Sequence, residues 1–576
     1  MPNLVKNEKR QLAALLLLAG FFLYAGWKLF FFLTDDAFIS FRYVSNSVLG
    51  YGYVWNPPPF RPVEGYSNFL WLLLLDGVWR VCHIPPPISA NWLSLFFSFL
   101  SLLTGAIMVF RIDWKPSLRK YRIYFVALFL AGTLSNRTFL AWTSSGLETA
   151  MFNWLILLWF FICLYLSPRQ PRWIFLLALV SAGIGLTRPD GLLFAGISGL
   201  LILSLFLLKL IPAKANFLAA ASPLLLIPLH LLWRLKTYGE WLPNTYYAKV
   251  EGIWPESGII YTLSFILEYA LWIYIFLGFC LVIKNAANLT GTPAAARMVK
   301  ELRNSPPVLL KFITLMTLAG QVFYYIFVVG GDHFEYRVFS HLIILLWISL
   351  IWMLNTLALR PASAILIGCI FLLCSLPVPW THWKLSQAHI TRESSRIMKI
   401  PTAASFPAPF KWYAALFDTL QFWLIDHFVC MRHQEHKIFS LWYRGIFPTR
   451  EEGQLLPAAD FPVMALSSVG IPAWVLPQVN IIDTLGLNDY VVARIPLKSD
   501  SPRVMAHSKM APAGYVACFA PNTSLLPART VAILERRKQL SAQDIRDCEY
   551  NWAARVLSEN FDAGGPAYEE PNITAQ

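Results

Sequence analysis

Two adjacent carboxylates, Asp35 and Asp36, come directly after the first long apolar run of the chain. Carboxylates at the end of an apolar segment cost free energy, so their presence calls for a physical explanation. One reason is chemical: burial and a neighbouring acid raise a carboxyl pKa toward neutrality, so that the carboxylate can take a proton from an attacking hydroxyl. The other is structural, because Thr34 and both acids suit the first turn of a helix, whose free amides they would cap. The sequence by itself leaves both interpretations open.

Further polar segments interrupt the apolar runs and carry charged and aromatic side chains. Arginine could hold a phosphate, and aromatic rings could stack on a sugar or lie at the level of lipid headgroups. The candidate binding residues are Arg42, Glu64, Tyr66, Glu148, Arg188, Asp190, Asn244, Tyr246, Lys249, Asp332, His333 and Arg337.

The sequence contains few signals for a metal ion or a nucleotide cofactor. The Asp35/Asp36 and Asp332/His333 pairs allow a divalent ion without requiring one. Neither a Gly-rich dinucleotide loop after a strand nor a P-loop is visible, so no soluble nucleotide site is expected.

Composition restricts the class of protein. Of 576 residues, 57% are hydrophobic and only 14% charged, and the mean hydropathy is +0.52. A soluble protein of this length cannot cover so much apolar surface, so we predict an α-helical polytopic membrane protein. The net charge of +14 fits Lys and Arg in cytoplasmic loops that face anionic lipid better than it fits nucleic-acid binding, which we do not expect.

Apolar runs predict about eleven spans, and the distribution of Lys and Arg orients them. The short segment 69–82 holds Asp76 and Arg80 and is predicted to lie at the interface without crossing. The N-terminus is then cytoplasmic, and the acids of the polar loops fall on the opposite face. A single active site assembled from several loops is typical of such an arrangement. The predicted spans are 12–33, 90–110, 123–137, 148–166, 173–187, 190–208, 215–233, 257–283, 308–329, 338–357 and 362–376.

The composition changes after residue 376, where proline, charge and turn signals become more frequent. We predict a transmembrane catalytic domain over 1–376 and an extracytoplasmic α/β domain over 377–576. Its helical patterns are at 410–430, 526–540 and 543–557, and its strand-like runs are Val463–Leu466, Val479–Ile482 and Tyr515–Phe519. A disulfide among Cys430, Cys518 and Cys548 is feasible if this part is extracytoplasmic.

Six motifs in order resemble one family. TDDAFISFRY, VEGYSNFLW, SGLETAMF, TRPDGLLF, YGEWLPNTYYAKV and GGDH followed by Arg337 are similar to the integral-membrane C-type (GT-C) glycosyltransferases, near the terminal β-(1→2)-arabinofuranosyltransferases. The resemblance covers roughly residues 30–345, with a weaker echo at residues 482–489 and around His507.

The resemblance implies a GT-C-like fold in the bacterial inner membrane, with the active site and the C-terminal domain outside. It implies transfer of a sugar, arabinofuranose in the nearest relatives, from a polyprenyl-phosphate donor with inversion. The acceptor would be an envelope glycan, a lipid or a protein. By motif, the catalytic base is carried over to Asp35 and Asp36. The segment 57–62 is longer than in relatives, and the looser C-terminal motifs leave the acceptor undetermined.

Two other classes remain as alternatives. A flippase or transporter of lipid-linked saccharides would use the same cavity without chemistry, but its polar residues should continue to the cytoplasmic side. A scaffold or polymer-binding protein would depend on 377–576 and would be insensitive to mutation of Asp35 and Asp36.

Overall fold

The computed structural model describes most of the chain. The described residues are 6–168, 170–212, 214–249, 252–287, 305–496, 503–526, 529–533, 540–558, 561 and 565–570. The predicted cytoplasmic loop 284–307 lies largely outside these ranges.

The protein is a polytopic helical membrane protein. Within the described ranges, six helices are long and apolar enough to cross a bilayer, or seven if a pair bent by 92° forms one span. The six are Asn7–Leu29, Pro86–Phe110, Pro189–Leu207, Pro307–Val329, Arg337–Thr356 and Pro361–Ser386, and the bent pair is Pro255–Glu268 with Leu271–Lys284.

Within the described ranges, six or seven of the about eleven predicted spans are therefore apolar helices long enough to cross a bilayer. Three other predicted spans are shorter apolar helices, at Arg122–Leu134, Thr149–Tyr165 and Pro171–Thr187. The predicted span 215–233 is divided into helices Ala215–Ala220 and Leu226–Tyr238 by a 3₁₀ turn that contains Pro223. Proline has no amide hydrogen to continue the helical bonding, which explains the interruption.

Helices also occupy the polar connections. The acids begin the helix Asp35–Val48, and the predicted interfacial segment is the helix Phe69–Cys82, in which Asp76 pairs with Arg80 at 2.8 Å. Thr34 is the N-cap residue, but its side chain makes no capping bond. The remaining helices of this half are Pro116–Arg119, Arg137–Ala141 and Asn244–Lys249.

The C-terminal part is mainly helical with two small sheets. Strands β1 (Val463–Leu466) and β2 (Asn480–Asp483) pair in parallel, Val463 opposite Asn480, and β3 (Thr523–Leu526) pairs antiparallel with β4 (Thr530–Ile533). The helices are Pro377–Ser386, Arg392–Ser395, Lys411–Asp426, His433–Ile446, Arg450–Gly453, Gly470–Val475, Ala513–Cys518 and Ala542–Val556.

Two of the secondary-structure predictions in this part are wrong. The run Tyr515–Phe519 is helical up to Cys518, in the helix Ala513–Cys518, and Phe519 is its C-cap residue; Tyr515 and Val516 are buried by this short helix after Pro512. The stretch 526–540, predicted helical, contains β4 in its described portion. Short apolar runs do not distinguish strand from helix.

The hydrophobic core crosses the predicted boundary at residue 376. One large cluster joins the apolar helices to residues such as Leu424, Ile471 and Trp474. A second, smaller cluster gathers Phe60 with C-terminal residues around Tyr515 and Trp552. Cys518 and Cys548 form a disulfide in this second region, whereas Cys430 is a free buried thiol. The division of the chain at residue 376 stays a prediction.

Arg42 attaches the helix Asp35–Val48 to the C-terminal part. Its side chain is fully buried. The guanidinium donates to five backbone carbonyls at 2.9–3.2 Å, those of Trp55, Ala473, Leu476, Pro477 and Val479. Five donors in a planar fork suit a guanidinium that has to satisfy several carbonyls at once.

Replacement of Arg42 by Met should lower the free energy of unfolding by about 3 kcal/mol or more, because five buried carbonyls would lose a charged donor. Thermal unfolding of the detergent-solubilised protein measures the loss. Arg80→Met is the matched control: its side chain is half exposed, so we expect a change below about 1 kcal/mol. Equal midpoints for the two variants would contradict this assignment.

Candidate functional site

Two cavities meet at Asp36. Cavity A, of about 270 Å³, extends toward the apolar helices, and cavity B, of about 160 Å³, extends toward the C-terminal part. Six residues line both cavities: Asp36, Ile39, Lys249, His333, Leu487 and Ala506. The Asp36 carboxylate therefore lies where groups bound in the two cavities would face each other.

The two adjacent aspartates have different surroundings. Asp35 accepts the backbone amide hydrogens of Gly470 at 3.1 Å and Ile471 at 2.8 Å, and so caps the helix Gly470–Val475. Asp36 makes no hydrogen bond or ion pair with any described residue. Asp35 thus fulfils the capping interpretation, although the helix it caps is not its own. Of the two carboxylates, only that of Asp36 accepts no hydrogen bond from a described residue.

Cavity A holds a cluster of charges around Arg188. This guanidinium pairs with Glu148 and Asp190, each at 3.0 Å, and donates to the Tyr325 hydroxyl at 3.2 Å. Glu148 also accepts from Asn68 at 3.1 Å. These partners hold Arg188 in place and leave it at the cavity wall.

A second ion pair lies on the loop before the helix Ser340–Thr356. Arg337 pairs with both carboxylate oxygens of Asp332, at 2.8 and 3.1 Å. Gly330 and Gly331 precede this pair with φ of +87° and +105°, values that favour glycine. The main chain of the loop is also bonded to the C-terminal part, since Cys430 donates to the Asp332 carbonyl at 2.8 Å.

His333 lies between the cavities as a neutral ring. Its Nδ1 is 2.8 Å from the Phe428 carbonyl, an oxygen that only accepts, so Nδ1 carries the proton and Nε2 the lone pair. Burial and the neighbouring His507 lower the pKa of His333 to about 3. His333 is thus an uncharged hydrogen-bonding group near Asp36.

Among the described cations that line the two cavities, Lys249 has the fewest bonding partners. It lines both cavities at the end of the helix Asn244–Lys249, and its ammonium group makes no hydrogen bond or ion pair within the described ranges. Tyr66 and the largely exposed Tyr246 add aromatic surface to cavity A. An ammonium without a carboxylate partner is available to an anionic ligand.

Cavity A borders the candidate membrane spans. Tyr324 and Tyr325 begin a π-helical turn, Tyr324–Val329, at the end of the span Pro307–Val329. Asp190 and Val338 come from two further spans. Local π-helical turns often accompany functional sites. An apolar tail could continue from this cavity between the helices, while its charged group stays at the wall.

Three of the predicted binding residues do not line either cavity. Arg42 is used in the carbonyl cluster described above. Glu64 forms an ion pair with Arg234, with Nε and Oε2 at 2.5 Å. Asn244 donates to the carbonyls of residues 486, 487 and 489. All three side chains join loops to one another, and their surroundings leave them no group for a substrate.

The other eleven predicted residues lie on the cavity walls. Asp35 lines cavity B, Asp36, Lys249 and His333 line both, and the rest line cavity A: Tyr66, Glu148, Arg188, Asp190, Tyr246, Asp332 and Arg337. Loops separated by up to three hundred residues therefore converge on one end of the helical bundle.

The sequence interpretation missed the wall that the C-terminal part supplies to cavity B. Its polar and aromatic members include Arg392, Phe428, Glu435, His436, Phe439, Ser467, Ser468 and Asp483. Asp483 and His507 belong to the weaker C-terminal part of the family resemblance, but no family motif covers the helix His433–Ile446. The sequence feature that could have indicated this helix is the concentration of His and Glu in the first turn of an amphipathic helix.

A metal centre is not formed by the described residues. Among them, no group of three or more His, Cys, Asp or Glu side chains is placed to hold an ion. Asp332 is occupied by Arg337, and His333 Nδ1 by a carbonyl. The described residues of the two cavities therefore form no three-ligand metal site.

Comparison with known proteins adds little to this geometry. No protein-family profile matches the sequence, and no curated protein matches it. Among solved structures, the chain is similar to ArnT from Cupriavidus metallidurans bound to undecaprenyl phosphate. The TM-score is 0.47 and the identity 11%, over 81% of this chain and 85% of that chain.

The pH dependence of stability should depend on Asp35. Burial raises its pKa from 3.8 to about 7, against the opposing effect of the two amide bonds. A raised carboxyl pKa contributes stability that is complete below the unfolded-state value and is lost as the pH rises through the folded-state value. Between about pH 4 and pH 7, wild type should therefore lose stability relative to Asp35→Asn. Unfolding midpoints of both proteins across this range test it, and a constant difference would contradict it.

Proposed function

We propose that this protein is a GT-C-type glycosyltransferase that moves a sugar from a polyprenyl-phosphate donor to an acceptor on the extracytoplasmic face of the bacterial inner membrane. The observation that carries the proposal is the unpaired Asp36 carboxylate at the junction of two cavities. The order of the six sequence motifs supports the same class. By that resemblance the sugar is arabinofuranose, and the acceptor is an envelope glycan, lipid or protein.

The chemistry requires a base, a cation and two binding sites that face each other. The acceptor hydroxyl oxygen attacks the anomeric carbon from the side opposite the phosphate, and its proton passes to Asp36. The bond from the anomeric carbon to the phosphate oxygen breaks, and its electron pair leaves with the polyprenyl phosphate. Attack from the opposite side gives inversion. A carboxylate within reach of the hydroxyl supplies the proton acceptor.

Cavity A is the proposed donor site. Its position beside three candidate spans allows a lipid tail to stay in the apolar region. Arg188 and Arg337 are rigidly held by carboxylates, and Lys249 is not, so we assign Lys249 the direct contact with the phosphate. Positive charge aimed at the departing oxygen stabilises the charge that develops there.

Asp36→Asn should reduce sugar transfer about a hundredfold or more, because the amide cannot accept the hydroxyl proton. The measurement is transfer of labelled arabinofuranose from a synthetic polyprenyl-phosphate donor onto isolated envelope material. The unfolding midpoint should stay unchanged, since Asp36 has no partner to lose. Asp35→Asn is the neighbouring control: it should retain more activity than Asp36→Asn. Normal transfer by Asp36→Asn would exclude the proposed role.

Lys249→Met should raise the KM for the donor about tenfold, because the phosphate would lose a charge-assisted contact. Lys236→Met is the matched control, since Lys236 is exposed and lines neither cavity. Initial rates over a series of donor concentrations distinguish the two variants. An unchanged donor KM in Lys249→Met would place the phosphate elsewhere.

A further inference from the structure

Cavity B differs from cavity A in the elements that line it. No residue that lines cavity B belongs to any candidate span or shorter apolar helix of the described chain. Its walls are the first turn of Asp35–Val48, the loop around His333 and the C-terminal part. A ligand bound in this space would contact none of the candidate spans, which suits a water-soluble ligand better than one with a lipid anchor.

The charge of cavity B is nearly balanced. Four carboxyl groups line it (Asp35, Asp36, Glu435 and Asp483), together with the two cations Lys249 and Arg392. Burial raises the pKa of Asp35, Glu435 and Asp483 and lowers the pKa of His333, His436 and His507, so it favours the uncharged form of each group. A phosphate-bearing ligand would therefore find no surplus of positive charge.

The cavity also has unused hydrogen-bonding groups. Glu435 is 7% exposed, and its Oε2 has no partner within the described ranges. The neighbouring His436 Nε2 is buried and likewise unpartnered there. Buried polar atoms without partners cost free energy unless a ligand or water satisfies them. Both atoms belong to the first turn of the helix His433–Ile446.

Aromatic rings complete the walls. Phe334, Phe428 and Phe439 line the same space, and the Arg392 guanidinium lies 4.8 Å from the centre of the Phe439 ring. Apolar ring faces beside hydrogen-bonding groups suit a sugar ring, which has apolar C–H faces and a rim of hydroxyls.

We infer that cavity B binds the acceptor, and that this acceptor is an uncharged, water-soluble saccharide gripped by Glu435, His436 and Phe439 of the helix His433–Ile446. The inference rests on the proposed function, because it places the attacking hydroxyl beside Asp36. These three side chains are specificity residues, and Asp36 alone takes the proton.

The test uses the full-length protein in nanodiscs with the synthetic polyprenyl-phosphate arabinofuranose donor. Three acceptor probes are compared: a methyl-capped arabino-oligosaccharide, the same oligosaccharide with a terminal phosphate, and the same oligosaccharide on a polyprenyl anchor. Release of free sugar to water without any acceptor is measured in parallel, as a readout of folding and donor binding.

The neutral soluble oligosaccharide should be the best acceptor. Glu435→Ala and Phe439→Ala should each raise its KM about tenfold, a loss of one polar or stacking contact. Leu441→Ala is the control, since Leu441 is half exposed on the same helix and lines neither cavity. Phe439→Leu serves if the alanine variant does not fold.

The failures of the two proposals are distinguishable. Unchanged acceptor KM values in the Glu435 and Phe439 variants, with transfer abolished in Asp36→Asn, would overturn the role of cavity B and leave the transferase intact. Preference for the phosphorylated or anchored probe, or no transfer to the soluble one, would overturn the acceptor class. Normal transfer by Asp36→Asn would remove the proposed function itself.

Discussion

The rest of the site depends on the hydrogen bonds that the buried Arg42 guanidinium donates to five backbone carbonyls. Its five carbonyl partners come from residue 55 and from the segment 473–479, so one side chain joins the first polar loop to the C-terminal part. A buried charge has to be satisfied or it destabilises the fold. This requirement holds the helix Asp35–Val48 at one position against the C-terminal part. Asp35, at the other end of the contact, is bonded to the amides of residues 470 and 471.

This attachment explains why adjacent acids acquire different roles. Neighbouring side chains on a helix point about 100° apart, so one can face the docked segment while the other faces open space. Asp35 is used by the amides, and Asp36 remains at the meeting point of the two cavities. The C-terminal part is therefore a wall of the site as well as a neighbour of it.

The distribution of charge divides the site by function. On the side of the spans, Arg188 and Arg337 are held by Glu148, Asp190 and Asp332. Such pairs place cations accurately but leave little net positive charge, which is why Lys249 matters. On the C-terminal side, carboxyl groups outnumber cations and the histidines are neutral. Such groups can form hydrogen bonds with the hydroxyl groups of a ligand. The proposed reaction joins a charged lipid-linked donor and a neutral acceptor at this boundary.

The sequence by itself determined the membrane class, and eleven of its fourteen candidate residues lie on the cavity walls. These follow from composition, apolar length and local motifs, all of which are properties of short stretches of chain. Only the tertiary structure decided that Arg42, Glu64 and Asn244 join loops, that Asp36 and not Asp35 is unpaired, and that the helix His433–Ile446 closes cavity B. Each of these depends on partners hundreds of residues away, such as Arg42 with Val479, and a local pattern contains no information about which distant carbonyl or amide a side chain will meet.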